Sequence, residues 1–154
     1  MTDIKFKNTR FNPDVTPFHG LAKQMAKAVG YTADLSIDKT LAQLLRLRVA
    51  QKNECAYCAI LHAKASRDIG ISEEKTDNIS SRYNSDLFTA KEKVALAYCD
   101  VLTDRISKDF QKFHADLAKY FNEVEIAEIA SAIINMNLWT HLKLAQGATP
   151  FLEA

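Results

Sequence analysis

Apolar residues recur along most of the chain at the spacing of an amphipathic helix, and they predict an all-α protein. Glycine and proline, which interrupt helices, are scarce: the chain has four glycines and three prolines, most of them near the ends of helical patterns or outside them. The chain shows neither a linker-like composition nor an internal repeat. The pattern therefore predicts one compact bundle of about seven helices.

Capping residues indicate where the predicted helices begin and end. Small polar residues begin helices because their side chains bind the free backbone N–H groups of the first turn, and glycine commonly ends them. Two stretches also match the reciprocal capping box. The predicted starts are Asp38, Thr89-x-x-Glu92 and Asn122-x-x-Glu125, and the predicted ends are Gly30, Gly70 and, for the last helix, Ala145.

The N-terminal segment departs from the helical pattern. Residues 1–10 alternate polar and apolar positions, and we expect residues 1–15 to form an extended arm that Phe6 and Phe11 anchor onto another element. The arm and the bundle are expected to make one domain over residues 1–154, a length that can bury a sufficient core.

Two of the predicted helices carry information on packing. Residues 107–120 form an amphipathic pattern that turns Phe110, Phe113 and Leu117 inward. The last helix is apolar on more than one side, which exceeds what one small bundle usually buries. We therefore expect a homo-oligomer in which this helix contributes to the interface; its apolar residues are Ile133, Ile134, Leu138, Trp139, Leu142 and Leu144.

Charge and hydropathy narrow the classes of partner. The net charge is +1, so nothing favours a nucleic acid or an anionic membrane. No apolar run approaches the ~20 residues that a membrane-spanning helix needs, and residues 1–10 contain no signal-peptide core. We therefore expect a cytoplasmic protein, in a compartment that keeps thiols reduced.

The candidate chemistry lies in residues 53–62, which contain a Cys-x-x-Cys pair followed by a histidine. No glycine or proline interrupts this stretch, and on a helix with about 100° per residue Cys55, Cys58 and His62 fall within an arc of roughly 60°. Two sulfurs and an imidazole would therefore share one helix face. In a reducing compartment such a pair is typical of redox-active or metal-binding sites rather than of structural disulfides.

Each member of this group can be given a chemical role. A cysteine attacks as its thiolate, and His62, four residues after Cys58, is placed to take the proton of that thiol. We expect Cys55 in the first turn of the helix, where backbone N–H groups favour negative charge, although the carboxylate of Glu54 opposes it. The hypothesis is that Cys58 attacks an oxidant and becomes a sulfenic acid, which Cys55 converts into a disulfide.

Gln43 is the fourth candidate. If the chain turns back at Lys52 and Asn53, two antiparallel helices place Gln43 and His62 side by side, at nearly equal distances from the turn. A carboxylate there would hold the imidazole and raise its basicity, whereas an amide orients the ring and adds no charge. The spacing predicts a contact, and the residue type predicts a weakened proton relay.

These residues resemble the core motif of the carboxymuconolactone decarboxylase family, in particular its AhpD-like alkylhydroperoxidase branch. The likeness covers most of the chain and is sharpest in residues 44–51 and 55–62. The resemblance implies that Cys58 is the peroxidatic cysteine, that Cys55 resolves it, and that His62 relays protons with a glutamate, whose position Gln43 occupies. Tyr57 stands where some members have a further histidine.

The resemblance also implies a function and its partners. It implies a thiol-dependent peroxidase or disulfide oxidoreductase in antioxidant defence, which reduces a hydroperoxide and is itself reduced by an external dithiol such as a lipoyl-bearing protein. Proteins of this type are homo-oligomers, and the reaction needs no metal, flavin or haem cofactor. The decarboxylase branch lacks the cysteine pair, which disfavours a lactone-decarboxylating reaction.

Alternatives to a redox enzyme remain open. The two cysteines and His62 could be buried core residues, since cysteine is a common small core residue, or they could be three of the four ligands of a zinc ion. The pair could instead belong to a redox-sensing or interaction module, in which disulfide formation alters assembly. An enzyme of the same fold could also catalyse a lactone or isomerase-type reaction without the thiols.

We expect the other candidate residues to be structural. Cys99 has no partner in sequence and is expected in the core. We expect His19 and His114 in solvent and His141 in packing contacts beside Trp139, although His141 could instead line the pocket or the interface. Arg46 and Arg48 are expected in surface or interface ion pairs. Glu92 and Glu125 are expected in caps, from which either could replace the missing carboxylate.

Overall fold

A computed structural model describes residues 3–105 and 109–153 of the protein. Its α-helices are α1 (Phe18–Val29), α2 (Lys39–Lys52), α3 (Ala56–Asp68), α4 (Glu73–Asp77), α5 (Ala90–Asp104), α6 (Phe110–Ala118) and α7 (Glu123–Gln146). Two short 3-10 helices (Pro13–Val15 and Ile79–Asn84) and two strands, β1 (Ile4–Asn8) and β2 (Ala148–Leu152), complete the described elements. The all-α prediction is confirmed.

Helix α2 forms the centre of the bundle and packs against α3, α5 and α7. Most of its residues are buried, which is typical of a helix that other helices surround. Because α2 and α3 are joined by a tight turn, they lie antiparallel and place the middle of each helix beside the other. The core residues that α2 contributes are Leu41, Ala42, Leu44, Leu45, Leu47, Val49 and Ala50.

Both predicted capping boxes are present. At the start of α5, the Thr89 hydroxyl accepts a hydrogen bond from the Glu92 backbone and the Glu92 carboxylate accepts one from the Thr89 backbone; Asn122 and Glu125 do the same at the start of α7. Glu92 also pairs with Lys75 at 2.9 Å. Both carboxylates are therefore used in caps, and neither lines the cavities beside His62.

A small antiparallel sheet, which the sequence pattern did not predict, holds the N-terminal segment. Strand β1 pairs with β2 from Ile4 opposite Leu152 to Asn8 opposite Ala148. The turn into β2 depends on Gly147, whose φ of +71° is left-handed and where a Cβ atom would lie 2.2 Å from the Thr9 hydroxyl. The sheet lays the N-terminal segment beside α3, since β2 packs on that helix.

Helix α6 differs in part from its predicted packing. Leu117 is buried as expected and Phe113 is partly buried, but Phe110 is exposed. Phe110 is the first residue of the helix, so its side chain lies at the end of the element. The predicted start near Ser107 falls in residues 106–108, outside the described part of the chain.

An ion cluster joins three elements and replaces the surface pairing expected for Arg48. Asp100 on α5 accepts two hydrogen bonds from Arg48, at 2.6 and 3.0 Å, and a third from Arg82 at 2.9 Å. Arg82 is only 3% exposed. Burial alone would raise the pKa of Asp100, but the hydrogen bonds and charges of the two arginines outweigh it and lower that pKa.

The outer surface carries apolar side chains on the last helix. Ile134 is 50% exposed and Leu144 is 39% exposed. These side chains are accessible to a second copy of the chain, and the homo-oligomer stays a prediction. Within residues 3–105 and 109–153, no helix has both the length and the apolar character that crossing a membrane requires.

We expect Asp100→Asn to lower the free energy of unfolding by about 3–5 kcal/mol at pH 7, because it leaves two arginines largely buried without a negative charge. The pKa of Asp100 is lowered in the folded protein, so this stabilisation is complete above about pH 4, the value of an unfolded aspartate, and is lost as the pH falls through the folded pKa. Denaturant titrations at pH 7 and at pH 3 measure both effects.

The matched control for that measurement is Asp104→Asn, one turn further along α5. Asp104 pairs with Lys52, and both side chains are 24% exposed. The control is expected to cost about 1 kcal/mol, because this pair is more accessible to water than the Asp100 cluster and involves a single cation. Equal losses of unfolding free energy in the two variants would show that the Asp100 cluster stabilises the fold no more than the Asp104–Lys52 pair does.

Candidate redox site

The two cysteines of the motif are joined as a disulfide, with their Cα atoms 5.3 Å apart. Helix α3 begins at Ala56, so Cys55 is its N-cap rather than a residue of its first turn, which corrects the expected position. The Cys55 sulfur accepts a hydrogen bond from the backbone N–H of Cys58 at 3.3 Å. It therefore takes the place that a serine or aspartate oxygen has at other helix starts.

The turn that presents Cys55 is fixed by backbone and side-chain hydrogen bonds. Glu54 adopts a left-handed φ of 52°, and the Cys55 N–H donates to the Ala50 carbonyl at 3.1 Å. Asn53 donates through its side-chain Nδ2 to Asn137 and to Thr140 on α7, each at 2.9 Å. The start of α3 is thus tied to both α2 and α7.

The two sulfurs differ in what they face. Both cysteines are 2% exposed, but Cys58 lines a cavity of about 220 Å³ and Cys55 is not among the residues that line it. His62 lines the same cavity. A molecule in this space therefore reaches the Cys58 side of the disulfide and finds the imidazole on the same helix, one turn away.

His62 is buried and neutral at physiological pH. It is 6% exposed, and burial, followed by the positive charge of Arg46, lowers its pKa to about 4. The ring therefore carries no charge near pH 7. This holds for the oxidised protein, in which the two cysteines form a disulfide and no thiolate faces the ring.

The predicted contact between Gln43 and His62 is confirmed. The Gln43 side-chain Nε2 donates to the His62 carbonyl at 3.0 Å and lies 3.2 Å from His62 Nδ1. The Gln43 Oε1 accepts a long hydrogen bond of 3.5 Å from Arg46, which sets the orientation of the amide. An amide N–H₂ in this place can only donate, so Nδ1 accepts and the proton of the neutral ring sits on Nε2.

Arg46 forms no ion pair among the described residues, although the sequence suggested a surface or interface pair. It is half-buried on α2 and donates to the Gly30 carbonyl at 3.2 Å. Its Nε has no hydrogen-bond partner among the described residues, and burial lowers its pKa. Arg46 lines a second cavity of about 450 Å³ that meets the first at His62.

His19 was expected in solvent, but it belongs to the site. Its side chain is 14% exposed and its Nδ1 lies 3.1 Å from Asp14. The ring meets Trp139 edge-on at 5.6 Å, and both residues line the Cys58 cavity. The contact joins α1 to α7 across more than a hundred residues of sequence, so no short-range spacing in the sequence predicts it.

Two lysines at the same cavity also escaped the sequence interpretation. Lys143 lies 5.0 Å above the Tyr57 ring and 5.6 Å from the Trp139 ring. Burial, and then the charge of Lys23, lower the pKa of Lys143, and both lysines line the cavity. The i, i+4 spacing of Trp139 and Lys143 was the available signal, because it places them on one face of α7.

The remaining predicted residues take simpler positions. Cys99 is a fully buried free thiol whose pKa burial raises to about 12, as expected for a core residue. His114 is exposed as expected, whereas His141 is exposed instead of packed. Within the described ranges, no group of three or more His, Cys, Asp or Glu residues is arranged to hold a metal ion.

A model of the carboxymuconolactone decarboxylase family matches residues 19–100, more than half of the chain and the part that contains Gln43, Cys55, Cys58 and His62. This chain belongs to the carboxymuconolactone decarboxylase family. The uncharacterized protein YdfG of Bacillus subtilis (strain 168) is 26% identical to it over 118 residues, which are 76% of this chain and 80% of YdfG.

Solved structures share the fold. A protein of unknown function from Agrobacterium tumefaciens, whose description suggests an antioxidant defence protein AhpD, matches with a TM-score of 0.85 and 24% identity, over 96% of this chain and all of that one. An uncharacterized peroxidase-related protein from Silicibacter sp. TM1040 has a TM-score of 0.74 and 18% identity, over 86% and 69% of the two chains.

A third structure is the debrominase Bmp8 without ligand, with a TM-score of 0.75 and 18% identity, over 84% of this chain and 69% of Bmp8. A cysteine-to-alanine variant of Bmp8 was crystallised with 2,3,4-tribromopyrrole. At these identities the likeness establishes the AhpD-like helical fold.

We expect the free energy of unfolding to depend on pH through His62. The unfolded chain binds a proton at this residue near pH 6.5, whereas the folded protein does so only near pH 4. Stability is therefore complete above pH 6.5 and falls as the pH is lowered toward 4, with a limiting slope of about 1.4 kcal/mol per pH unit. Denaturant unfolding at closely spaced pH values measures this slope, and His62→Gln is expected to remove it. A slope that persists unchanged in His62→Gln would assign it to other groups.

Proposed function

We propose that this protein is a thiol-dependent reductase of hydroperoxides, in which Cys55 and Cys58 alternate between dithiol and disulfide. The observation that carries the proposal is the asymmetry of the pair: Cys58 lines a cavity with His62, and Cys55 sits behind it at the start of α3. Two proteins of the same fold support the proposal: the Agrobacterium tumefaciens protein whose description suggests antioxidant defence, and the peroxidase-related protein from Silicibacter.

The first half-reaction oxidises the pair. The Cys58 thiolate attacks the outer oxygen of the hydroperoxide, an S–O bond forms, and the O–O bond breaks to leave an alkoxide, which is protonated to an alcohol. The Cys55 sulfur then attacks the sulfenic acid at Cys58, so that the disulfide forms and water leaves. Two electrons pass from the two sulfurs to the hydroperoxide.

In this protein, we propose that His62 acts as a proton donor rather than as the base for Cys58. Its Nε2 carries the proton of the neutral ring because Gln43 donates toward Nδ1. The Cys58 proton has already left to solvent when the thiolate forms. As the O–O bond breaks, the Nε2 proton can pass to the departing alkoxide, and a proton from solvent then returns to Nε2. The sequence interpretation made His62 the base for Cys58; with Nδ1 engaged and the pKa lowered to about 4, the ring is a poor base at neutral pH.

The second half-reaction requires an external dithiol, such as the lipoyl group of a carrier protein. Its thiolate attacks the Cys58 sulfur, the one that faces the cavity, and Cys55 leaves as a thiolate. The hydrogen bond from the Cys58 N–H and the start of α3 favour negative charge at the Cys55 sulfur. The second thiol of the donor then completes its own disulfide. We propose that the protein works in the cytoplasm as a homo-oligomer.

The cavity favours an organic substrate over hydrogen peroxide alone. About 220 Å³ is several times the ~30 Å³ that one water molecule occupies in the liquid. Tyr31, Tyr57 and Trp139 provide aromatic walls. An organic hydroperoxide with an apolar body fits these walls.

The same aromatic walls favour one second candidate, the reductive removal of bromide from an aromatic ring. In that reaction the two thiols supply two electrons, the carbon–bromine bond becomes a carbon–hydrogen bond, and bromide and the disulfide are the products. The debrominase Bmp8 shares the fold. Bromide release from 2,3,4-tribromopyrrole, measured against cumene hydroperoxide consumption with the same dithiol, separates the two functions.

We expect Cys58→Ser to lower the rate of cumene hydroperoxide consumption, with dihydrolipoamide as donor, by at least about a hundredfold, because it removes the attacking sulfur. Cys55→Ser is expected to consume one equivalent of hydroperoxide and then stall, since the sulfenic acid has no resolving partner. Mass spectrometry of the stalled protein measures the added oxygen on Cys58.

The control for the cysteine series is Cys99→Ala, which removes a thiol buried in the core away from the cavity. It should retain the wild-type rate once folding has been verified by circular dichroism. Undiminished turnover in Cys58→Ser would contradict the proposal and favour a reaction that does not use the thiols.

We expect Gln43→Glu to raise the peroxidase rate at neutral pH by about tenfold or more. A carboxylate accepts a hydrogen bond from Nδ1–H, which moves the ring proton away from Nε2 and leaves Nε2 free to take the Cys58 proton. Gln43→Leu, which removes the amide without adding charge, is the comparison variant and should not gain activity. If both variants behave alike, the charge at position 43 does not govern His62.

A further inference from the structure

The second cavity, of about 450 Å³, is not used by the proposed reaction. It adjoins the Cys58 cavity and shares Tyr31, Leu61 and His62 with it, but Cys58 does not line it. Its walls come from the middle of α2, the outer side of α3 and residues 31–37 of the connection before α2. His62 is therefore the residue through which an occupant of this cavity can affect the thiol site.

Arg46 gives this cavity an unbalanced positive charge. The guanidinium donates to the Gly30 carbonyl and to Gln43, both neutral acceptors, and its Nε has no partner. Among the described residues, no carboxylate forms an ion pair with Arg46, in contrast to Arg48 and Arg82, which share Asp100. A guanidinium removed from water without a counter-charge is costly, and a carboxylate matches its planar fork.

The other charged groups around His62 do not supply that counter-charge. Asp34 and Lys39 line the second cavity as exposed residues and offset one another. Across His62, the Cys58 cavity adds His19, Lys23 and Lys143, and the carboxylate of Asp14 is engaged with His19. The surroundings of the imidazole therefore carry a net positive charge.

The rest of the wall is apolar. The side chains that complete it are small or aliphatic, so a ligand held by Arg46 would extend a hydrocarbon body along them. They are Leu35, Ile37, Ala42, Leu61, Ala65 and Ile69.

We propose that the second cavity binds a small organic carboxylate with an apolar body, which pairs with Arg46 and supplies beside His62 the negative charge that Gln43 does not. The binding stands on the cavity and on Arg46 alone. Its effect on turnover rests on the proposed function.

The consequence for the ring has a definite direction. The positive charge of Arg46 is one of the two causes that lower the pKa of His62. A bound carboxylate offsets this charge, so the pKa of His62 rises and the ring is more readily protonated, which makes it a stronger proton donor to the departing alkoxide. The ligand would thereby act as an activator that stands in for an internal carboxylate.

The test uses hexanoate as the probe and 1-hexanol as its neutral counterpart with the same tail. Isothermal titration of the assembled wild-type protein should show saturable hexanoate binding, at least tenfold tighter than hexanol. In the same samples, the ring-proton NMR signal that disappears in His62→Gln should titrate at a higher pH when hexanoate is bound. Peroxide consumption is measured separately, as a third readout.

Two variants and a control locate the binding. Arg46→Met should weaken hexanoate binding at least tenfold, and Gln43→Glu should do the same because its own carboxylate occupies the charge position. Lys64→Met removes a cation from the exposed side of α3, where Lys64 pairs with Asp68, and should bind hexanoate as the wild type does.

Hexanoate binding that is absent, that equals hexanol binding, or that persists in Arg46→Met and Gln43→Glu would overturn the inference. Binding with a raised His62 titration but no peroxide consumption would leave the inference intact and contradict the proposed function. Peroxide consumption without hexanoate binding would support the proposed function and overturn the inference about the second cavity.

Discussion

The contact between Gln43 and His62 is the constraint on which the site depends. It exists because α2 is apolar enough to occupy the centre of the bundle and because a tight turn lays α3 antiparallel against it. The Gln43 amide spans the two helices by donating to the His62 carbonyl and toward Nδ1. An amide is neutral and does not take up a proton from the ring. The contact therefore holds the imidazole in place and assigns its proton to Nε2 without making the ring more basic.

The same turn makes the two cysteines unequal. Cys55 occupies the N-cap of α3, and the backbone N–H of Cys58 donates to its sulfur, which suits a sulfur that leaves with a negative charge. Cys58 lies one turn inside the helix and lines the cavity. Under the proposed function, this difference sets the direction of exchange: reagents react with Cys58, and Cys55 leaves as the thiolate. Because both cysteines are 2% exposed, their exposure does not distinguish an attacking from a resolving thiol, and the distinction rests on which of them lines the cavity.

Features set by neighbouring residues could be predicted from the sequence, and features set by distant residues could not. The capping boxes at Thr89 and Asn122 and the pairing of Gln43 with His62 depend on residues within twenty positions of one another. The strand pair β1–β2 joins the two ends of the chain, and His19 reaches Trp139 from another helix. Arg46 looked like a surface residue because charge is normally solvated, and only the close approach of α1 and α2 at Gly30 shows that it is half-buried.

The electrostatics of the site follow from a neutral histidine in cationic surroundings. With the pKa of His62 lowered to about 4, the ring is uncharged at neutral pH while the disulfide is in place. Under the proposed function, we expect the start of α3 and the cations around the cavities to stabilise the sulfur anions. Lys143, held over two aromatic rings, and Arg46, without a carboxylate partner in the described chain, are those cations. Because the same charges attract anions from solution, the arrangement that favours the thiolate also selects the molecules that approach it.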